Sequence, residues 1–321
     1  ITGVTIPEGV TGIGSLAFCN CTELHFANLP DSVEVLENSA FFGCTNLRDV
    51  TLGKAMTSLG PHAFENCGRL TSIVLPNTLT SIGNSCFEDC VRLTSVRMSE
   101  ELTSIGSEAF LQCVSLESIA IPDGVTRIPW WTFYNCARLE RVDFGSSVAA
   151  IEDHAFAGCV SLQDVVLPDS CTIIEDSAFV DCQSLQRAFL GNGLTTMERH
   201  AFNGCSSLTE LDLGHVLTAI PDYAFQGCTS LPSVTIPDSV TVIGKYAFER
   251  CTALVQVDIG TGTTAIYDGA FRNCTELARV TLPEGCVSLG RYAFRECSKL
   301  AEVAFPDSLT SIGFQAFLHC Q

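Results

Sequence analysis

One pattern of hydrophobic and polar positions recurs along the chain every 23 residues without a slip. In each repeat, a Phe is followed three positions later by Cys, and in all but the last repeat a Leu stands three positions after that Cys. A fixed period of this length is typical of a solenoid, in which each repeat buries its apolar side chains by stacking on its neighbours. We call one repeat a coil, and the Phe residues of this register are Phe18, Phe41, Phe64, Phe87, Phe110, Phe133, Phe156, Phe179, Phe202, Phe225, Phe248, Phe271, Phe294 and Phe317.

The segment around each of these Phe residues has the spacing of a short helical turn. Ala109, Phe110, Cys113 and Leu116 are separated by one, three and three positions. Residues three and four apart share a face of a helix, so this spacing predicts one buried helical face in each coil.

Two extended pieces complete the coil. Ile119 and Ile121 alternate with small or polar residues, which is the period-two pattern of a strand, and Pro122 ends that strand because it donates no ladder hydrogen bond. Val125 and Ile128 then supply two further inward positions, before the chain turns. We expect the main strands of successive coils to pair in parallel, about 4.8 Å apart.

The period runs unbroken from one end of the chain to the other. No linker, charge block or low-complexity stretch interrupts it, so the sequence predicts a single domain over residues 1–321 with about 14 coils. Solenoids ordinarily have polar caps at both ends, and neither end of this sequence resembles one. We therefore expect the chain to be a segment of a longer protein.

Composition excludes several classes of partner. The net charge of −19 disfavours nucleic acid and anionic lipid, which require basic surfaces, and favours cationic partners. The sequence holds no apolar run of the roughly 18 residues that a membrane-spanning helix needs, so no membrane insertion is expected.

The eighteen Cys and six His are interpreted as structural. Fourteen Cys share the buried register after the Phe, where Cys acts as a small hydrophobic residue, and only Cys19 lies outside every core register. His62, His154 and His200 share a register but lie whole coils apart, so no metal site is expected. Disulfides along the Cys register and a reactive thiol at Cys19 are the alternatives. Neither a cofactor site nor a catalytic constellation is found.

The repeat also resembles a known family. The pattern Leu-x-x-Ile-x-Ile-Pro-x-x-Val-x-x-Ile-Pro-x-x-x-Phe-x-x-Cys, as in residues 116–136, is similar to the BspA-type leucine-rich repeat. The resemblance covers essentially the whole chain. It implies an α/β repeat solenoid, a leucine-rich-repeat superhelix with a parallel β-sheet along one face and short helical turns on the other. It also implies a cell-surface or secreted adhesin that binds host matrix proteins or other cells.

Recognition is expected at the positions of the main strands that face outward. Inward strand positions are apolar in every coil, whereas the outward ones vary and are free to serve binding or simply to drift on a solvated face. An aromatic residue flanked by charges is typical of an interface centre. The candidate protein-binding residues are Arg141, Asp143, Asp164, Arg187, Phe189, Glu210 and Asp212.

A second pattern follows each main strand. Most coils carry either Pro followed by an acidic residue or its amide, as in Pro237-Asp238, or Gly followed by another residue type, as in Gly260-Thr261. The two kinds of coil mostly alternate. We interpret this as avoidance of stacked like charges, with a ladder of cation sites as the weaker alternative.

These observations favour a non-catalytic binding module of the adhesin type. The alternative is a structural scaffold subunit that docks its neighbours within a larger assembly. An enzyme is not expected, because no group of residues has the composition of an active site.

Overall fold

The computed structural model of the protein describes residues 1–320, which fall into two compact units, unit 1 over 1–162 and unit 2 over 163–320. In both units, each coil contributes one main strand of three or four residues and one strand of two residues. We number the strands β1 to β28 in chain order, so that main strands are odd and short strands are even. The single domain expected from the unbroken period remains a prediction.

Unit 1 holds the first fourteen strands. Its main strands are β1 (Gly3–Thr5), β3 (Phe26–Asn28), β5 (Asp49–Thr51), β7 (Ser72–Val74), β9 (Ser95–Arg97), β11 (Ser118–Ala120) and β13 (Arg141–Asp143). Its short strands are β2 (Gly12–Ile13), β4 (Val35–Leu36), β6 (Ser58–Leu59), β8 (Ser81–Ile82), β10 (Ser104–Ile105), β12 (Arg127–Ile128) and β14 (Ala150–Ile151).

Unit 2 repeats this order. Its main strands are β15 (Asp164–Val166), β17 (Arg187–Phe189), β19 (Glu210–Asp212), β21 (Ser233–Ile236), β23 (Gln256–Ile259), β25 (Arg279–Thr281) and β27 (Glu302–Ala304). Its short strands are β16 (Ile173–Ile174), β18 (Thr196–Met197), β20 (Ala219–Ile220), β22 (Val242–Ile243), β24 (Ala265–Ile266), β26 (Ser288–Leu289) and β28 (Ser311–Ile312).

Strands of neighbouring coils pair in parallel and at equal register. In unit 1, β1, β3 and β5 form one sheet and β7, β9, β11 and β13 another, while β2 to β10 form a sheet of short strands and β12 pairs with β14. In unit 2, the sheets are β15–β17–β19, β21 to β27, and the short strands β20 to β28, with β16 paired to β18. The parallel main strands predicted from the sequence are therefore present.

The predicted helical turns are wrong, and with them the α/β class. Residues 1–320 contain strands and turns but no helix, so the molecule is a parallel β-solenoid. In segment 39–44, the N–H groups of Ser39, Phe41 and Gly43 donate to carbonyl oxygens of the next coil at 2.8–2.9 Å. The N–H groups between them donate to the carbonyl oxygen three residues earlier in the same coil at 3.2–3.3 Å, which closes four-residue turns. This alternation leaves no place for the i to i−4 bonds of an α-helix.

Left-handed backbone accounts for the alternation. The residues two before and two after the Phe have positive φ, for example 55° at Ser39 and 69° at Gly43. An α-helical residue has φ near about −63°, so two left-handed residues in every coil interrupt any helix. Asn, Asp and Gly tolerate this conformation best, and the second of the two positions is Asn, Asp or Gly in most coils.

The Phe residues form a stacked core in each unit. Adjacent rings lie 5.0–5.5 Å apart from Phe18 to Phe156 in unit 1. In unit 2, they lie 5.0–5.6 Å apart from Phe179 to Phe317. The rings of Phe41 to Phe294 are fully buried. Stacked aromatic rings at this spacing add to the gain from burying their apolar area.

The Cys register has a hydrogen-bonding role besides packing. Cys67 Sγ donates to the carbonyl oxygen of Phe41 in the preceding coil at 3.3 Å, and the N–H of Cys44 donates to the same oxygen at 3.2 Å. Equivalent Sγ contacts of 3.1–3.5 Å recur in both units. Cys is therefore a small apolar residue that also supplies a weak donor to a buried carbonyl.

Native thiol labelling should distinguish buried from accessible Cys. All eighteen Cys are free thiols, and only Cys19, Cys21 and Cys320 are more than slightly exposed. Burial raises the pKa of Cys171 to about 11 and that of Cys297 to about 12, so their reactive thiolate forms are scarce at neutral pH. We expect a maleimide or iodoacetamide pulse, followed by mass spectrometry, to label Cys19 first. Rapid labelling of the buried Cys of the Phe register, from Cys44 to Cys297, in the native protein would contradict this packing.

The alternation of Pro-acid and Gly coils has a local cause. Asp238 Oδ1 accepts a hydrogen bond from the backbone N–H of Thr261 at 2.7 Å, and Asp123 makes the same contact with Ser146 at 2.7 Å. These bonds lower the pKa of both carboxyl groups. The carboxylate of a Pro coil thus binds the free N–H of the Gly coil that follows, which explains the alternation more directly than the avoidance of like charges.

Candidate functional site

The predicted surface divides between the two units. Arg141 and Asp143 lie on β13 of unit 1, and the other five residues lie on β15, β17 and β19 of unit 2. Arg141 is exposed and pairs with Asp143 of its own strand, with Nη2 and Oδ1 2.6 Å apart. Two residues apart on a strand face the same side, so the pair is part of the outward surface of the sheet.

In unit 2, equal register places side chains in straight rows across three strands. Asp164, Arg187 and Glu210 form one row. Arg187 donates from Nε and Nη2 to the two carboxylate oxygens of Asp164, at 2.6 and 2.7 Å. The hydrogen bonds and charge of Arg187 lower the pKa of Asp164. The guanidinium is therefore largely committed to a neighbour within the same unit.

The second row is Val166, Phe189 and Asp212. Phe189 was expected to be exposed, but it is half-buried. Val166, at the equivalent position of the preceding strand, is 58% exposed and was not among the predicted site residues. The apolar part of this surface is consequently a Val166–Phe189 pair, in which the smaller residue is the more accessible.

The acidic residues of β19 carry the unbalanced charge of this surface. Among the ion pairs within residues 1–320, none involves Glu210 or Asp212. Asp212 Oδ1 accepts a hydrogen bond from the N–H of Gly214 at 2.9 Å. Asp164 is neutralised by Arg187, so the rows together present an apolar pair beside excess negative charge. We refer to Asp164, Val166, Arg187, Phe189, Glu210 and Asp212 as the unit 2 strand face.

Unit 1 has a shallow groove of about 630 Å³ on the outward side of its main strands, which the sequence analysis missed. Its walls include the 59% exposed Val74 and the charged Arg97 and Asp143. The side chains of Ser95 and Ser118 also line the groove, and the depression forms because these side chains are small. The sequence feature that could have predicted this groove is the run of small residues at outward strand positions. The sequence-based prediction considered clusters of charged residues instead.

The three His of the shared register have different surroundings. His200 stacks on Tyr223 with ring centres 4.9 Å apart, and His154 lies 5.5 Å from the ring of Trp131. Both therefore cover the outside of the turn that carries the Phe of their coil, as expected from the sequence. We call these turns the outer turns. His62 instead lies beside Glu65 and Glu88, an arrangement that comparing one His with another could not show.

Within residues 1–320, no helix is present that is long and apolar enough to cross a membrane.

Comparisons with known proteins agree with the repeat. The family model "BspA type Leucine rich repeat region (6 copies)" matches residues 1–116, 103–231 and 195–321. A leucine-rich repeat protein from Bacteroides ovatus is 28% identical, with a TM-score of 0.77, over 100% of this chain and 76% of that one. A leucine rich cell surface protein from Faecalibacterium prausnitzii is 28% identical, with a TM-score of 0.52, over 100% of this chain and 86% of that one.

A search of the curated proteins found no match to the chain. Leucine-rich repeat proteins generally bind other proteins or serve as scaffolds, and they are typically non-catalytic. The matches of the family model together span the sequence from its first residue to its last. The chain therefore belongs to the BspA type leucine-rich repeat family.

Proposed function

We propose that the chain is a non-catalytic binding module of an adhesin-like protein, at the cell surface or secreted, that binds a protein partner through the outward residues of its main strands. The observation that carries the proposal is the unit 2 strand face, where an apolar Val166–Phe189 pair lies beside Glu210 and Asp212, two acidic residues that form no ion pair within residues 1–320. A similar protein from Faecalibacterium prausnitzii is described as a cell surface protein, which supports the location.

The charge of this surface indicates the chemistry of the partner. Arg187 is held by Asp164, so it contributes little to binding a partner's carboxylate. Glu210 and Asp212 favour a basic partner, and the net charge of −19 adds long-range attraction. A host matrix protein with a basic segment and an exposed apolar side chain would match both rows. Unit 1 also presents outward side chains that a partner could contact, namely Arg141, Asp143 and those that line its groove.

Substitutions on the unit 2 strand face should weaken binding of a partner recovered by pull-down from matrix proteins and whole cells. Phe189→Ala should cost about 1–3 kcal/mol of binding if Phe189 is an anchor. Glu210→Lys should mainly slow association with a basic partner, because exposed charges steer encounter. Surface plasmon resonance at two salt concentrations measures both effects, and the effect of Glu210→Lys should shrink at high salt.

Two controls are available in the same chain. Glu101→Lys makes the same change of charge at an exposed residue outside the main strands, and it should alter association little. His154→Ala with Tyr246→Ala removes aromatic surface from the outer turns and should leave affinity intact. Unchanged affinity of the Phe189→Ala and Glu210→Lys variants, with loss in the outer-turn pair, would place the binding surface on the outer turns. If the only partner recovered by the pull-down is an intracellular protein, the result would favour a scaffold inside the cell.

A further inference from the structure

Three side chains of metal-ligand type meet on the outer turns of unit 1. His62 and Glu65 flank Phe64, and Glu88 follows Phe87 in the next coil. The imidazole and the two carboxylates offer one donor atom each, and these atoms all lie within 4.8 Å of one another. His62 Nδ1 lies 2.5 Å from Glu65 Oε2, and the Glu65 side chain is only 15% exposed.

The backbone holds the three residues at this spacing. Phe64 and Phe87 stack with ring centres 5.5 Å apart, and the N–H of Asn66 donates to the carbonyl oxygen of Glu88 at 2.8 Å. Glu65 and Glu88 therefore occupy the same register in adjacent coils, where their side chains stand side by side. Ser85 is 4% exposed, and its carbonyl oxygen accepts a hydrogen bond from the backbone N–H of Glu88 at 3.2 Å.

No protein cation balances these two carboxylates. Across the part of the chain that the structure describes, neither Glu65 nor Glu88 forms an ion pair with Lys or Arg, and His62 is the one basic partner of Glu65. Two partly buried carboxylates at this distance repel each other unless a positive charge lies between them.

Unit 2 shows how the same register is balanced elsewhere. Glu249, also one residue after its Phe, is 7% exposed. Gln226 of the preceding coil donates to Glu249 Oε2 at 2.6 Å, and Arg272 of the following coil lies 3.5 Å from Oε1. The neighbours of Glu249 thus supply a donor and a cation. Glu65 also has a donor, because Asn66 Nδ2 donates to its Oε1 at 3.3 Å, but within residues 1–320 neither Glu65 nor Glu88 has a Lys or Arg partner. Arg272 stands one residue after its Phe, in the coil that follows Glu249. Relative to Glu65 of unit 1, the same position is occupied by Glu88 and therefore supplies no cation.

We propose that His62, Glu65 and Glu88 bind one divalent transition-metal ion of the Zn²⁺ class, with the remaining coordination position open to water. One imidazole nitrogen with two carboxylate oxygens is a donor set that suits Zn²⁺ better than Ca²⁺ or Mg²⁺, which prefer oxygen alone. Ligand distances of about 2.0–2.2 Å require the three side chains to close in slightly around the ion. His62 is 41% exposed and has room to do so. This departs from the expectation of no metal site.

The imidazole and the two carboxylates must be deprotonated to act as ligands, so protons compete with the ion for the site. Affinity should therefore fall as the pH is lowered. The metal would also stabilise the fold to the extent that it binds the native site more tightly than it binds the thiols and imidazoles exposed on unfolding.

Calorimetric titration of the chelator-treated full chain with Zn²⁺ tests the proposal, after the accessible thiols have been blocked with iodoacetamide. We expect one equivalent of Zn²⁺ to bind, and Glu88→Gln and His62→Ala each to weaken binding at least tenfold. Co²⁺ in place of Zn²⁺ should give visible absorption bands that Glu88→Gln removes. His154→Ala is the matched control, because Ala157 stands where Glu65 does and no loss is expected. Binding that survives Glu88→Gln, or that disappears once thiols are blocked, would overturn the site.

Thermal unfolding of the metal-free chain gives a second readout. The carboxylates of Glu65 and Glu88 lie side by side, and within residues 1–320 neither has a Lys or Arg partner, so their mutual repulsion should destabilise the metal-free fold. Glu88→Gln should therefore raise the melting temperature at pH 7 without metal and abolish the rise caused by Zn²⁺. A Glu88→Gln chain that melts lower than the wild type without metal would contradict the unbalanced charge.

Discussion

Phe110→Ala is expected to cost about 3–5 kcal/mol of unfolding free energy, the largest single effect in this molecule. The ring of Phe110 is fully buried and lies 5.3 Å from the rings of both Phe87 and Phe133. Its removal leaves a cavity bounded by two rings that lose a stacking partner. Because coils contact only their neighbours, the damage should spread along unit 1 through the adjacent interfaces.

Phe26→Ala is the matched control for this prediction. Phe26 lies on β3 and is 41% exposed, so the same loss of a ring should cost much less there. Urea unfolding followed by circular dichroism measures both variants. Equal losses for the two variants, or a loss under about 1 kcal/mol for Phe110→Ala, would contradict a core built on stacked Phe.

Gly227→Ala is expected to destabilise the protein by about 1–2 kcal/mol, because a side chain with a Cβ resists left-handed backbone. Gly227 has a φ of 76°, and an added Cβ would meet nothing closer than 3.8 Å, so strain alone is measured. If residue 227 were in a helical turn, the same substitution would stabilise the protein, since Ala is favoured over Gly in a helix by about 1 kcal/mol. The substitution thus distinguishes the two descriptions of the segment.

Gly68→Ala serves as its control. Gly68 does not have a left-handed φ, and an added Cβ would meet Val91 at an ordinary 3.7 Å. Other coils carry Thr or Val at this register. Gly68→Ala should therefore be neutral or slightly stabilising in the same urea titration. A gain in stability for Gly227→Ala would contradict the left-handed turns.

The error over the helical turns shows what spacing alone does not determine. Separations of one, three and three positions place Ala109, Phe110, Cys113 and Leu116 on one side of a helix. They do the same in a succession of turns closed by hydrogen bonds between residues three apart. The distinguishing signal was the residue two after each Phe, which is Asn at 66 and 135 and Gly at 43, 158 and 227. These residue types accept positive φ, and their recurrence at one register indicates left-handed turns.

The candidate surface was predictable only in part. The 23-residue period places Asp164, Arg187 and Glu210 in one row, so the charged row follows from the sequence. Whether Arg187 turns towards Asp164 or towards solvent depends on side-chain packing, as does the partial burial of Phe189. His62 lies close to Glu65 of its own coil and to Glu88 of the next coil. A comparison of His residues at equal registers does not reveal this cluster, because the other two members are Glu residues at a different register.

Site-specific photo-crosslinking tests the role of the strand face most directly. A benzophenone amino acid is placed at Val166, which is 58% exposed beside Phe189, or at His200 on the outer turn of the same unit. Each protein is then irradiated with purified basic matrix proteins and with intact cells. We predict covalent adducts from position 166 that high salt reduces, and none from position 200. Adducts from position 200 without any from position 166 would contradict recognition by the strand face.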